Sequence, residues 1–213
     1  MASKAGAASA EPPAAALASA RGLAAPPMTE LRTPRLVLRP WAAGDADALV
    51  RQANNRNVAR TLRDAFPHPY TRDDARQWLE SRAADDGPTL DFAIELDGEA
   101  VGSVGLKTRS DIQRLSLEVG YWLAEPLWGR GLVPEAVAAV VAYAFATFHE
   151  IEVVQAHHIA SNPASGRVLE KCGFRLDGRL RRAAIKDGVV EDLLVWSRTR
   201  EDARAGARGE EAR

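Results

Sequence analysis

Beyond residue 30 the apolar positions of this chain fall into short blocks that switch between the two-residue period of a strand and the wider spacing of a helix. Blocks at 35–39, 90–96 and 101–107 read as strands, the last two joined by Asp97-Gly98, a tight-hairpin signal. The segment from Gly44 to about Asn54 reads as a helix with Asp45 as its cap. A second helix runs from Thr71 to about Ala84, where Thr71 and Asp74 have the spacing of a capping box. Leu115-Ser-Leu-Glu-Val-Gly-Tyr-Trp-Leu123 alternates over its first half and then turns continuously apolar, as a buried strand does. Val133 to Phe148 is an Ala- and Val-rich helix with Pro134 in its first turn, where a missing N–H costs nothing. A strand at 151–157, a helix opened by Asn162-Pro163 and two strands joined through Asp187-Gly188 complete the order βααβββαβαββ. Strands with interspersed helices argue an α/β (α+β) fold built on a mixed sheet.

Between the strand ending at Leu123 and the helix starting near Val133 lies Trp128-Gly-Arg-Gly131. Two glycines let the backbone approach a ligand with no Cβ in the way, and the helix start leaves N–H groups unpaired. An anion is the natural partner of such a turn, although two nearby glycines also suit a plain turn. The decision rests on the flanking strand and helix, and on a second motif, Asn162-Pro-Ala-Ser-Gly-Arg-Val-Leu-Glu-Lys-Cys-Gly-Phe174.

Together, Glu118-Val-Gly-Tyr-Trp122, Trp128-Gly-Arg-Gly131 and the Asn162 to Phe174 motif resemble the Gcn5-related N-acetyltransferase (GNAT) superfamily, in its RimJ/RimL-like branch. Leu31-Arg-Thr-Pro-Arg-Leu-Val-Leu-Arg-Pro40 is similar to that branch's opening strand. Gly178-Arg-Leu-Arg-Arg182, Lys186-Asp-Gly188 and Asp192-Leu-Leu-Val-Trp196 are similar to its closing hairpin. The resemblance implies a mostly antiparallel sheet flanked by helices, with two central strands splayed apart. It also implies transfer of an acetyl group from acetyl-CoA to a primary amine by direct attack in a ternary complex. One departure stands out: the superfamily often has Gln or Arg three residues before the first glycine of its loop, and here that residue is Pro126. Because the loop works through backbone N–H groups, this should change its stiffness more than its ligand.

The resemblance assigns the pyrophosphate to the backbone of Trp128, Gly129, Arg130, Gly131, Leu132 and Val133, with the Arg130 side chain directed at phosphate or at solvent. Amide-rich pantetheine would pair with the strand edge near Val119 and Tyr121, as a peptide adds to a sheet, and would touch Asn162. Glu118 stands in a strand otherwise written in Leu and Val, so it faces a cavity or a partner. By resemblance it is a general base, acting directly or through water; the alternative is a structural pair with Arg109 or Arg114. Asn162 reads as a helix cap with Pro163 at the first position, which puts Ser165 in the first turn. By resemblance Ser165 donates to the departing sulfur; alternatively, both residues only cap the helix. The segment from Asn54 to Tyr70, with Trp41, Phe66, His68 and Tyr70, is expected to help form the acceptor pocket.

Other residues carry less. Cys172 precedes Gly173 at a helix end and reads as a buried, inert thiol. His157 and His158 are adjacent in a strand, so they point to opposite faces, and no second ligand pair has metal spacing: no metal is expected.

Composition narrows the setting. A net charge of −1 supplies no field for nucleic acid or an anionic membrane surface, and the apolar helix at 133–148 is too short to span a bilayer. One cysteine forbids an internal disulfide, which fits a cytoplasmic protein. Residues 1–28, rich in Ala and Pro without an aromatic, read as a disordered tail lacking the apolar core of a signal peptide. Met28 resembles a complete beginning for the branch. By resemblance residues 29–203 are one acetyltransferase domain, and 204–213 are expected as a charged flexible tail. The expected partners are acetyl-CoA and an amine acceptor, either a peptide N-terminus, as in ribosomal proteins, or a small amine or amino sugar. The protein is expected as a monomer or homodimer. The competing function is an acyl-CoA-binding or sensing module without turnover.

Overall fold

A computed structural model describes residues 30–84 and 90–211. The tail expected at residues 1–28 lies outside the described residues. Among those described, the strands are β1 (Leu31–Arg32), β2 (Val37–Pro40), β3 (Asp91–Leu96), β4 (Glu99–Thr108), β5 (Ser116–Leu123), β6 (Val153–Ile159), β7 (Arg175–Lys186) and β8 (Val189–Thr199). The helices are α1 (Ala46–Ala53), α2 (Arg56–Ala59), α3 (Arg72–Ala83), α4 (Leu132–Thr147), α5 (Pro163–Lys171) and α6 (Arg200–Glu211). The strands form one sheet in the order β1-β2-β3-β4-β5-β6-β8-β7, antiparallel throughout except between β5 and β6. Both expected hairpins have the local geometry their residues favour: φ is 53° and 84° at Asp97-Gly98, and 52° and 77° at Asp187-Gly188.

The sheet buries its two faces differently. Leu36, Leu38, Phe92, Ile94, Val104, Leu106, Leu117 and Val119 pack against Ala136, Val137, Val140 and Val141 of α4. The small side chains of α4 let it lie close against the sheet, and burial of this apolar surface is the main favourable term in folding. On the opposite face a second cluster joins Leu49, Ala53, Ala75 and Leu79 of α1 and α3 to Tyr70, Trp41, Phe66 and Trp122. No helix among the described residues is long and apolar enough to cross a membrane.

Several local expectations change. Asp45 does not cap α1 with its side chain; its carboxylate takes two bonds of 2.8 Å from the Arg39 guanidinium and one of 2.9 Å from the Ala42 N–H. Arg39 also meets Glu95, so one guanidinium ties β2 to β3 and to the entry of α1. Removing one partner of a largely buried pair strands the other, so Asp45→Ala is expected to cost about 2–4 kcal/mol in a denaturant titration. A change below about 0.5 kcal/mol would make the pair a surface contact of little weight. The charged tail expected from residue 204 is instead the second half of α6. Thr199 and Asp202 begin that helix with reciprocal bonds of 3.1 and 3.0 Å, and Arg200 donates to the carbonyls of Phe145, Phe148 and Ile151.

Candidate active site

The parallel pairing of β5 with β6 covers only Ser116–Glu118 against Val153–Gln155. Beyond it each strand follows its antiparallel partner, β5 along β4 to Leu123 and β6 along β8 to Ile159, and the sheet opens into a fork. Past the Glu118–Gln155 pair, the fork-side edge of β5 has no strand partner among the described residues, although its Leu123 carbonyl accepts from the Trp128 indole, and the stretch around Tyr121 is open to an amide-bearing ligand. Side chains alternate along β5. Leu117, Val119 and Tyr121 face α4, while Glu118, Gly120 and Trp122 face the side of α1 and α3.

At the open end of β5 the chain makes one 3-10 turn, Glu125–Leu127, containing Pro126, and enters the glycine loop. Gly129 and Gly131 have φ of 76° and 75°, and Gly131 is the N-cap of α4. Among the described residues, the N–H groups of Gly129, Arg130, Gly131, Leu132 and Val133 have no hydrogen-bond acceptor. Trp128 behaves otherwise: its N–H donates to the Glu125 carbonyl at 3.0 Å and its indole to the Leu123 carbonyl at 2.7 Å. It therefore braces the loop, and the backbone cradle begins at Gly129. Arg35 holds the loop from the far side, donating to the Arg130 carbonyl at 2.8 Å and to Glu135 at 2.6 Å. Leu132 anchors the cradle in the core, whereas Arg130 is exposed and lines a cavity of about 320 Å³ with Gln52, Asp97 and Glu99.

Across the fork, Asn162 caps α5 by accepting from the Ser165 N–H at 3.4 Å, with Pro163 at the first position. Its amide nitrogen keeps both hydrogens for another partner. Ser165 Oγ lies 2.8 Å from the Tyr121 hydroxyl, which is also 3.3 Å from the Ser165 carbonyl. Burial raises the phenol pKa, so Tyr121 stays protonated. The chain shows the two residues 44 positions apart, and nothing in their local spacing links them.

Glu118, 8% exposed, sits at the root of the fork. Its carboxylate meets Arg63, Arg109 at 2.6 Å and His157 Nδ1 at 3.6 Å. The Arg109 pair offered as an alternative by the sequence is present; Arg114 instead donates to the Asp111 carbonyl. His157 and the two guanidinium charges lower the Glu118 pKa from 4.5 to about 2 against the desolvation that burial imposes. The guanidinium contacts are the shorter ones. Arg63 was not indicated by the sequence: it lies 55 residues from Glu118.

Lys186 binds Asp64 at 2.8 Å and Arg56 binds Asp187 at 2.6 Å, so the β7–β8 turn closes over the segment that follows α2. Within that segment Phe66 lies 5.1 Å from Tyr70 and 5.6 Å from Trp122 between ring centroids. Tyr70 is buried there and His68 is exposed, so the two contribute differently from an open aromatic pocket. His158 points away from Glu118 and stacks on Trp196. Cys172 is 5% exposed, donates to the Pro134 carbonyl, and has a thiol pKa raised to about 11 by burial, which disfavours a nucleophilic role.

Residues 35–175 match the model of the acetyltransferase (GNAT) domain. The uncharacterized N-acetyltransferase YoaA of Bacillus subtilis is 28% identical over 171 residues, 78% of this chain and 94% of the relative. The ribosomal protein uS5-alanine N-acetyltransferase of Escherichia coli is 28% identical over 186 residues, 83% of this chain and 93% of the relative. The structure of Mycobacterium smegmatis RimJ in complex with CoA-disulfide aligns with a TM-score of 0.69 at 27% identity, covering 85% of this chain and 94% of that one.

Proposed function

We take as premise that this chain belongs to the GNAT acetyltransferase family, and propose that it moves the acetyl group of acetyl-CoA onto the α-amine of a polypeptide N-terminus by direct attack. The observation that carries this reading is the fork between β5 and β6, with a free backbone edge on one side and an anion-ready helix N-terminus at its open end. The relatives that act on or are named for ribosomal proteins favour a polypeptide over a small amine.

In this reading the N–H groups of Gly129 to Val133 hold the pyrophosphate, and the edge at Val119 and Tyr121, with the Asn162 amide, holds the arm. The amine nitrogen attacks the thioester carbonyl carbon; the tetrahedral adduct then collapses with cleavage of the carbon–sulfur bond. Glu118 is ionised at working pH, but a carboxylate with a pKa of about 2 is a weak base toward an α-amine near 8. Its role is to hold the acceptor ammonium and pass its proton to water. Ser165 donates its Oγ proton to the departing sulfur; the adduct's nitrogen gives up its extra proton to water, and a proton returns from water to Ser165 through the Tyr121 hydroxyl, which ends protonated as it began.

Ser165→Ala is expected to slow transfer about 10- to 100-fold without weakening acetyl-CoA binding, and the defect should persist at high pH. Deprotonating the amine does nothing for the sulfur. A defect that vanished at pH 9 would remove Ser165 from this role. The reading as a whole is tested by free-thiol release from acetyl-CoA with a panel of peptides, polyamines and amino sugars. Acetylation of the peptide α-amine supports it, exclusive use of another amine moves the acceptor assignment, and binding without thiol release would mark a sensing module.

A further inference from the structure

The cluster at the root of the fork is unbalanced. Glu118 is one carboxylate facing two guanidiniums, Arg63 and Arg109, so the group carries an excess of one positive charge before His157 is counted. The Arg109 Nε–H is buried and, among the described residues, has no acceptor, an arrangement that burial of a polar donor normally penalises. Arg63 is 67% exposed and projects from the segment between α2 and α3, where the acceptor side lies. The acidic groups on the same rim are already engaged: Asp64 with Lys186, Asp187 with Arg56, and Asp192 with Arg179.

An ammonium brought alone to this place meets an attractive carboxylate and two repulsive cations. An amine that brings its own carboxylate meets a complementary arrangement, ammonium against Glu118 and carboxylate against the guanidiniums. Building on the acetyl-transfer reading above, we propose that Arg63 and Arg109 form an anion subsite for the acceptor, selecting amines that carry a nearby carboxylate. Two sources supply that chemistry: a polypeptide whose first residue is Asp or Glu, and a free amino acid. Polyamines are selected against. A substrate carboxylate would also draw Arg63 from Glu118, whose remaining neighbours are the charged Arg109 and, opposite it on β4, Lys107, with the His157 imidazole beside them. Glu118 would then become a stronger proton acceptor at the moment the acceptor is in place.

The test compares kcat/KM on the full chain for a peptide amide beginning with Asp, its counterpart beginning with Ala, free aspartate and spermidine. The expected preference for the Asp peptide over the Ala peptide is about 10- to 100-fold, the range for a desolvated charge-assisted contact. Free aspartate outrunning the Asp peptide would identify the free amino acid as the source of the carboxylate; the reverse would identify the polypeptide. Arg63→Ala should reduce the Asp-over-Ala ratio to within about threefold of one. Arg63→Lys should keep part of it, and Arg63→Glu should reverse the order in favour of spermidine, which a merely structural arginine would not do. Equal rates on the Asp and Ala peptides in the unaltered protein overturn the subsite and leave acetyl transfer standing. Release of no thiol with any acceptor overturns both.

Discussion

Gly131→Asp should abolish measurable acetyl-CoA binding, by at least about 100-fold, while the protein still folds. The residue has φ of 75°, where a side chain costs roughly 1–2 kcal/mol, although Asp tolerates this region better than most. Space is not the obstacle: a Cβ there meets nothing nearer than Arg35 Nη2 at 3.6 Å. That guanidinium would even partner the new carboxylate and support the fold. The ligand should meet the opposite, because the added negative charge would stand among the five N–H groups, without an acceptor among the described residues, that are proposed to hold the pyrophosphate. Gly131→Ala, with the backbone cost and no charge, should lose less than about tenfold. Calorimetry giving ordinary affinity for a folded Gly131→Asp protein would remove the loop from the anion site.

Glu118→Gln should retain acetyl-CoA binding yet slow transfer by about 10²–10⁴-fold, the usual loss for a group positioned to handle a proton. The amide is nearly isosteric but cannot hold an ammonium or neutralise Arg63 and Arg109. In the unaltered protein Glu118 stays ionised far below neutrality, so the acid side of the pH profile should follow the acceptor amine, near pH 8 for an α-amine. That limb should stay in place in the variant. A limb that shifts or disappears on substitution would mean Glu118 itself is titrating. Stability has its own signature. Since folding lowers this carboxyl from 4.5 to about 2, its contribution is fully present above about pH 4.5 and is lost as pH falls toward 2. The difference in unfolding free energy between the two proteins should therefore shrink across that window.

What the sequence reveals and what it hides divide along range. Asp97-Gly98, Asp187-Gly188, Thr71 with Asp74, Asn162-Pro163 and the two loop glycines are local signals, read within a few residues, and each has the geometry its chemistry favours. Thr199 with Asp202 carries the same capping signal as Thr71 with Asp74, so α6 was legible behind its charged composition. Asp45 shows the limit of such signals, since a good capping residue was taken by Arg39 of a neighbouring strand. The Trp128 N–H was lost to a turn that only the path through Pro126 defines. The partners of Glu118 and Ser165 come from other elements: Arg63 from a loop with no periodicity of its own, and Tyr121 from a strand whose next residue points to the other face. Spacing along a chain cannot report such meetings, because folding alone brings them together.

The amine is expected to attack acetyl-CoA directly while both are held at the fork. Initial rates of thiol release, measured against acetyl-CoA at several fixed concentrations of an accepted peptide, test this most directly. Intersecting double-reciprocal lines are predicted, in keeping with the buried, high-pKa thiol of Cys172 and a site whose carboxylate is already paired. Parallel lines, together with an acetylated protein isolated in the absence of acceptor, would establish a covalent relay and rule out direct attack.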